Sequence, residues 1–497
     1  MKVTTLFSEL DYRIIRGTKD KDVNDLKYYS KECGEKDAFF ALKGRDFDGH
    51  AYIDEAIRNG ASVIILEDSG INAEDCCSRW MDSDVTFIGV KDTRKALACA
   101  SNIFWNKPSN KLITIGVTGT KGKTTTTFMI KKILDDAGIK TGIIGTIHSG
   151  SDGWYKNSNN TTPESYEIFK DIRNMVNEGC KAVVMEVSSQ GLKFHRVEGL
   201  FFDIALFTNI SPDHIGKGEH VSFDEYFQCK KKLFYQCKTA ILNCDDPLWK
   251  EVCSETSAGK IITFGINNKA DFRGQQLSFV KKEGTLGIEY KCSGEKKICN
   301  VYVPLPGEFN VYNSLGAIAA SAVFGVEFDK ACSSLKGLTV RGRSEMIKVS
   351  DDYTVLIDYA HNGVALKNLL TTLRKYDPER LIVVFGCGGE RDRSRRFDMG
   401  SIAGKYADFS VVTSDNPRNE DPGEIIKDIV SSLLSSGGSY CIIPDRREAI
   451  SWSLDQAQAG DIIVIAGKGH ETYQIIGKEI KHFDDREIVL KKYEIIQ

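Results

Sequence analysis

Residues 116–126 read Gly-Val-Thr-Gly-Thr-Lys-Gly-Lys-Thr-Thr-Thr, after the apolar run Leu112-Ile-Thr-Ile and before a helical pattern. Glycines let backbone N–H groups approach phosphate oxygens, and a helix N-terminus adds partial positive charge. The segment Gly119, Thr120, Lys121, Gly122, Lys123, Thr124 and Thr125 is therefore expected to cradle a nucleotide. Lys123 would reach the terminal phosphates and the Thr124 hydroxyl would bind magnesium. The strict phosphate loop carries glycine where Val117 stands. A glycine turn without nucleotide is the plain alternative, and the strand–loop–helix context weighs against it.

Two further segments end apolar runs with metal-binding residue types. Met185-Glu-Val-Ser-Ser-Gln puts Glu186 at a strand end, where a carboxylate suits the hard cation Mg²⁺. Phe207-Thr-Asn-Ile-Ser-Pro-Asp-His does the same for Asn209, Asp213 and His214. With a phosphate loop nearby, His214 is read as a metal ligand. The helical run Phe223-Asp-Glu-Tyr-Phe-Gln-Cys-Lys-Lys-Lys-Leu-Phe carries three lysines, which on sequence physics alone form a solvated charged face.

Positioning these groups requires alternating strands and helices. A small α/β unit is expected up to residue 108, with Trp105-Asn-Lys-Pro-Ser-Asn as a linker. Residues 109–336 predict a mostly parallel sheet of the phosphate-loop type, with an antiparallel edge near 270–305. Residues 337–497 predict a third, Rossmann-like alternation, with strands starting at Thr354, Leu381, Phe409 and Asp461. The expected fold class is α/β in three domains. Ligands in such sheets sit beyond the carboxyl ends of strands.

Composition narrows the partners. The 497 residues are 41% hydrophobic and 27% charged, with 66 basic against 69 acidic residues and a net charge of -3. That balance predicts no nucleic-acid partner. No apolar run approaches the ~20 residues of a membrane-spanning helix, so no membrane insertion is expected. The fourteen cysteines show no CxxC pair and no zinc spacing, which suits reduced thiols in a cytoplasmic protein.

Taken together, Gly-x-x-Gly-Thr-x-Gly-Lys-Thr and the segments at 186, 207 and 223 resemble the Mur ligases, in particular the MurE type that adds the third residue of the stem peptide. The resemblance runs from about residue 28 to about 487. It implies ATP and Mg²⁺, with a carbamylated lysine matching Lys230 in Asp-x-Tyr-Phe-x-x-Lys and serving as a metal ligand beside Thr124, Glu186 and His214. It makes Lys123, Glu186, His214 and Lys230 the catalytic set. It implies that residues 1–108 hold uridine diphosphate near Ser30, where Lys31 replaces the usual arginine and Gly44 and Asp48-Gly49-His50 follow the family pattern. Thr161, Thr162, Ser189 and Arg196 match positions that hold the muramoyl dipeptide. Asn310, Arg343 and Asp358 match nucleotide-facing positions, although Arg341 and Asn362-Gly363 depart from the family pattern.

Thr413-Ser-Asp-Asn-Pro-Arg resembles the diaminopimelate-adding enzymes, and lysine-adding relatives lack its arginine. Diaminopimelate has a second carboxylate where lysine has none, and Arg418 can grip it through two parallel hydrogen bonds. By the same resemblance Arg391, Asp415, Asn416, Pro417, Gly467 and Glu471 complete the amino-acid pocket. The expectation is a monomeric ligase joining meso-diaminopimelate to the D-glutamate of UDP-MurNAc-L-Ala-D-Glu. A lysine-adding ligase, a folylpolyglutamate synthase-like ligase and a phosphate-loop ATPase or binding protein are the rivals.

Overall fold

The computed structural model describes residues 1–44, 47–68, 84–158, 160–213, 215–216, 219–282 and 284–495. His214 lies outside them. Contacts divide the chain into two compact units, Met1–Asp271 with Ala319–Val326, and Phe272–Ile318 with Glu327–Gln497.

The first unit contains two sheets. Strands β1 (Arg13–Arg16), β2 (Leu26–Lys27), β3 (Asp37–Phe40), β4 (Ala61–Glu67) and β5 (Thr86–Val90) lie in the order β1-β5-β4-β3-β2. All neighbours are parallel except β1 with β5. Side chains alternate across a strand, and the packing follows. Phe40, Ile65 and Ile88 join Ala96, Leu97 and Ala100 of the helix Thr93–Phe104. Phe39, Ile64 and Phe87 join Ile53 and Ala56 on the opposite face. Asn106 and Lys107 then adopt positive φ, at 60° and 43°, before Pro108, which ends that helix at the expected linker.

The second sheet is built from β6 (Ile113–Thr118), β7 (Thr141–Ile144), β8 (His148–Ser151), β9 (Trp154–Asn157), β10 (Ala182–Glu186), β11 (Phe202–Phe207), β12 (Cys237–Asn243) and β13 (Lys260–Gly265). Their order is β13-β12-β11-β6-β10-β7-β8-β9, parallel from β13 to β7. β6 therefore sits between β10 and β11, and the loops after these three strands emerge at the same edge.

In the second unit, β14 (Phe272–Lys282), β15 (Thr285–Gly294) and β16 (Lys297–Val303) form the expected antiparallel run. A further sheet comprises β17 (Glu345–Ile347), β18 (Thr354–Asp358), β19 (Leu381–Phe385), β20 (Phe409–Val412), β21 (Tyr440–Ile442) and β22 (Ile462–Ala466). The order is β17-β18-β22-β19-β20-β21, with only β17 antiparallel. Val383, Phe385 and Val464 pack with Leu366, Leu370, Met399 and Ile429 on one face. Val384, Ile463 and Ile465 pack with Ala449, Ile450 and Val489 on the other. Such two-sided burial explains why these strands are continuously apolar. A hairpin of β23 (Tyr473–Ile476) and β24 (Glu479–His482) follows. Among the described residues no helix is long and apolar enough to cross a membrane, and the twelve described cysteines are free thiols.

One buried ion pair ties the last elements together. Arg446 Nε and Nη2 donate to the two oxygens of Asp485 at 2.9 and 2.8 Å, and Nη2 also donates to the Ala466 carbonyl at 2.9 Å. Both side chains are fully buried. Asp485→Ala would strand a guanidinium without its counter-ion, with an expected loss of about 3–5 kcal/mol. Urea denaturation reads this, and a loss below about 1 kcal/mol would contradict the role given to the pair.

Candidate functional site

β6 ends at Thr118, and the chain turns through Gly119 at φ 149° and Gly122 at φ 87° into the helix Lys123–Asp136. Val117 is a buried strand residue paired with Glu186 and Leu206. The strand thus runs on through the position where the strict loop has glycine, and Gly119 makes the turn. A Cβ on Gly119 would stand 1.9 Å from Thr208 Oγ1, so the close approach admits no side chain. No side chain caps the helix that follows, and its first-turn N–H groups lack intrahelical acceptors.

The segment after β11 clamps this loop. Thr120 N donates to the Asn209 carbonyl at 2.9 Å. Lys121 N donates to Asn209 Oδ1, and Asn209 Nδ2 donates back to the Lys121 carbonyl, each at 3.0 Å. Asn209 is therefore a brace for the loop. Lys123 Nζ folds over the loop onto the carbonyls of Gly119 and Thr120, at 2.9 and 3.0 Å. Tyr226 OH donates to Thr120 Oγ1 at 3.1 Å.

Glu186 closes the other side. It is 1% exposed. Its Oε2 accepts from Thr124 Oγ1 at 2.9 Å and from Thr146 Oγ1 at 3.2 Å, while Oε1 accepts from Thr146 N at 2.7 Å. A hydroxyl and a carboxylate held together form an all-oxygen donor set of the kind Mg²⁺ prefers. The residues present fit that ion.

The three lysines of the helix Phe223–Lys231 and the turn after it have three different fates. Lys232 is exposed. Lys231 donates to Glu251 and Glu255 at 2.7 and 2.8 Å, and these bonds help hold its pKa above the ordinary value despite desolvation. Lys230 is 1% exposed, donates to the Gly119 carbonyl at 2.7 Å and lies 4.6 Å from the centroid of the Tyr226 ring. Burial, with Lys123 as a neighbouring cation, pushes its pKa well down, against an opposing pull from Asp213. Reading all three as a solvated face holds only for Lys232, because Lys230 and Lys231 are each 1% exposed.

The dipeptide candidates continue outward from Glu186. Thr161 Oγ1 lies 3.1 Å from Thr146 Oγ1. Thr162 Oγ1 donates to the Glu186 carbonyl at 2.9 Å and accepts from Ser188 N at 2.9 Å. Ser189 Oγ bonds the buried His220 Nε2 at 2.9 Å. Arg196 Nη1 donates to the Thr162 carbonyl at 2.9 Å. Further away, Ser30 donates to Glu55 and takes Asn59 Nδ2 on its carbonyl at 2.9 Å. Lys31 is exposed. Asp48 Oδ1 accepts from His50 N at 3.0 Å, and His50 Nε2 accepts from Glu67 N at 3.1 Å, which pins this turn to β4.

The second unit holds its own cavity, of about 120 Å³. It opens beyond the carboxyl ends of β18, β19, β20 and β22 and is lined by Arg391, Asp415, Asn416, Arg418, Gly467 and Glu471, as the strand ends predict. Arg418 Nη1 donates to the Gly389 carbonyl at 2.7 Å. A Cβ on Gly388 would stand 3.0 Å from Arg418 Nη1, and one on Gly389 would stand 2.0 Å from the Pro417 carbonyl oxygen. The glycines let the two loops meet. Asn416 Nδ2 donates to Glu471 Oε2 at 3.0 Å, and its Oδ1 accepts from Ile475 N at 3.0 Å.

Sequence reasoning missed Lys468, which is fully buried and donates to Asn416 Oδ1 at 3.3 Å and Glu471 Oε2 at 3.1 Å. It also missed Tyr359 and His361 in the cavity wall. Their positions right after strands were the available signal. Asp358 has both oxygens engaged locally, by Ser344 N at 2.7 Å and Ala360 N at 2.9 Å, and burial raises its pKa. Arg343 lies over the Tyr359 ring at 4.8 Å, and Asn310 Nδ2 donates to the Pro306 carbonyl at 2.9 Å. Spacing along the chain also gave no sign that ligand atoms of His220, Glu225 and Cys229 gather within 4.8 Å of one another.

Known proteins resemble this chain along most of its length. Models of the Mur ligase family catalytic domain, the Mur ligase middle domain and the Mur ligase glutamate ligase domain match residues 22–105, 117–321 and 342–469. The UDP-N-acetylmuramoyl-L-alanyl-D-glutamate--2,6-diaminopimelate ligase of Caldanaerobacter subterraneus subsp. tengcongensis is 42% identical over 96% of this chain and 95% of its own length. The protein of that name from Clostridium perfringens is 40% identical over the full length of both chains. A solved structure of a ligase of that name superimposes with a TM-score of 0.70 at 28% identity, covering 100% of this chain and 99% of its own. Mycobacterium tuberculosis folylpolyglutamate synthase shares the fold at a TM-score of 0.61 and 19% identity but covers only 75% of this chain. With three domain matches in order and such relatives along nearly its whole length, the chain belongs to the Mur ligase family.

Proposed function

We propose that the chain is an ATP-dependent, ADP-forming ligase that joins meso-diaminopimelate to the D-glutamate γ-carboxylate of UDP-MurNAc-L-Ala-D-Glu, in the cytoplasm and as a monomer. Residues 1–108 bind the uridine diphosphate, 109–336 bind ATP, and 337–497 bind the amino acid. The observation that carries the specificity is the cavity beyond β19, β20 and β22, where Arg391 and Arg418 line the same space as Glu471. Cations and an anion in one pocket suit a substrate that ends in an amino-acid head. Lysine would offer Arg418 no carboxylate.

The γ-carboxylate attacks the γ-phosphate of ATP, ADP leaves, and an acyl phosphate forms. The diaminopimelate amine then attacks that carbonyl, phosphate departs and an amide remains. Lys123 and the first-turn N–H groups hold the phosphates, and Thr161, Thr162, Ser189 and Arg196 hold the dipeptide. Asn310, Arg343 and Asp358 serve the nucleotide. Thr124, Glu186, His214 and a carbamate on Lys230 would hold Mg²⁺, whose charge would offset that of the phosphate oxygens. Carbamylation needs an uncharged amine, and the burial of Lys230 supplies that condition. Catalysis rests on positioning and on charge stabilisation, with no covalent nucleophile on the protein.

Three outcomes test this. Incubated with ATP, the UDP-dipeptide and one amino acid at a time, the enzyme should release ADP with diaminopimelate and far more slowly with L-lysine. ADP release that ignores the amino acid would point to an ATPase instead. Arg418→Ala should weaken diaminopimelate use by about 2–5 kcal/mol in kcat/KM; an unchanged value would remove Arg418 from the pocket's function. Lys230→Ala should lose activity and regain part of it with added short-chain carboxylic acids, and full activity without them would refute the carbamate.

A further inference from the structure

The first unit contains a second arginine beside the dipeptide candidates, one that neither the motifs nor the family pattern singled out. Glu164 precedes the helix Ser165–Asn177 in the N-cap position, yet its side chain does not cap that helix. Its carboxylate is spent on two guanidiniums. Arg94 Nη1 donates to Oε1 and Oε2 at 3.1 and 3.2 Å, and Arg196 Nε donates to Oε1 at 2.5 Å. Both guanidiniums lie over the Phe194 ring, 4.8 and 5.9 Å from its centroid. Arg94 Nε is fixed on the Lys43 carbonyl at 3.0 Å and Arg196 Nη1 on the Thr162 carbonyl.

Two cations sharing one anion leave this cluster with an unmatched positive charge. The three side chains are only 13–15% exposed, so water screens that charge poorly. Among the described residues, Nη2 of neither arginine has a hydrogen-bond partner. Each guanidinium is fixed through Nε and Nη1, and the two unengaged Nη2 groups remain to donate to an oxyanion.

We propose that Arg94 is a binding residue for the nucleotide-linked peptide, acting with Arg196 to take an oxyanion of that substrate, while Glu164 holds the two guanidiniums in place. This rests on the function proposed above. The oxyanion comes from either the diphosphate or the D-glutamate α-carboxylate, since both have the same oxygen chemistry.

Calorimetric titration of the full-length protein with UDP-MurNAc-L-Ala-D-Glu and with UDP-MurNAc-L-Ala separates these sources. Arg94→Met should weaken binding of the first by at least about tenfold, with the melting temperature and the KM for ATP and diaminopimelate held. Equal loss for both ligands assigns the diphosphate; loss confined to the first assigns the carboxylate. Arg94→Lys keeps the charge without the fork and should show a smaller loss. If Arg94→Met fails to fold, Arg94→Lys decides, because wild-type affinity in that variant would overturn the proposal. Wild-type affinity in Arg94→Met, or a loss spread equally over all three substrates, would also overturn it. Failure of the unaltered protein to bind either ligand would instead sink the functional reading beneath it.

Discussion

One carbonyl oxygen, that of Gly119, accepts hydrogen bonds from two lysines, Lys123 at 2.9 Å and Lys230 at 2.7 Å. Two full ammonium charges cannot share one buried neutral acceptor cheaply. Burial, with Lys123 as the neighbouring cation, pushes the Lys230 pKa well down, so the two ammonium groups are set apart, one inside the fold and one on the loop. Everything else near the loop serves this division. The turn at Gly119 aims the carbonyl, Asn209 and Thr208 brace its back, and Tyr226 covers Lys230 while anchoring Thr120. A side chain at 119 would break both lysine contacts at once.

Much of this was legible in the sequence, and for identifiable reasons. Continuous apolar strands followed at once by polar residues marked the edges where Glu186, Asn416 and Arg418 appear. The close approach between loops at Gly386, Gly388 and Gly389 is visible only in the structure. Family resemblance alone singles out Lys230 among three lysines; in the structure Lys230 bonds a carbonyl, Lys231 finds two carboxylates and Lys232 finds solvent. Less legible were contacts between residues far apart in the chain. Thr146 meets Glu186 across 40 positions, and Arg94 meets Glu164 across 70. No periodicity encodes such pairs, because they depend on how strands are ordered within a sheet. Val117 shows the converse: an apparent defect in a motif proved to be one more residue of strand.

The phosphate loop and the cavity of the second unit use charge differently. Around the phosphate loop, anionic and cationic groups are kept apart, with the Glu186 carboxylate held by hydroxyls and the lysines held by carbonyls. A phosphate chain and a cation can then each find a partner without displacing an internal ion pair. In the cavity of the second unit, Lys468 already sits against Glu471 and Asn416. That buried contact orients the amide and the carboxylate before any ligand arrives, which lowers the entropy lost on binding.

The backbone at Arg418 has a consequence of its own. Its φ is 52°, and its N–H and carbonyl are both fastened to the hairpin, through the Ile475 carbonyl at 3.1 Å and Gly477 N at 2.7 Å. Glycine or asparagine fits such a conformation with less strain than arginine does. The hairpin thus works as a jig that forces an uncomfortable residue to present its head. A glycine at this position would keep both hairpin bonds and relieve the backbone, while removing the guanidinium from the cavity wall.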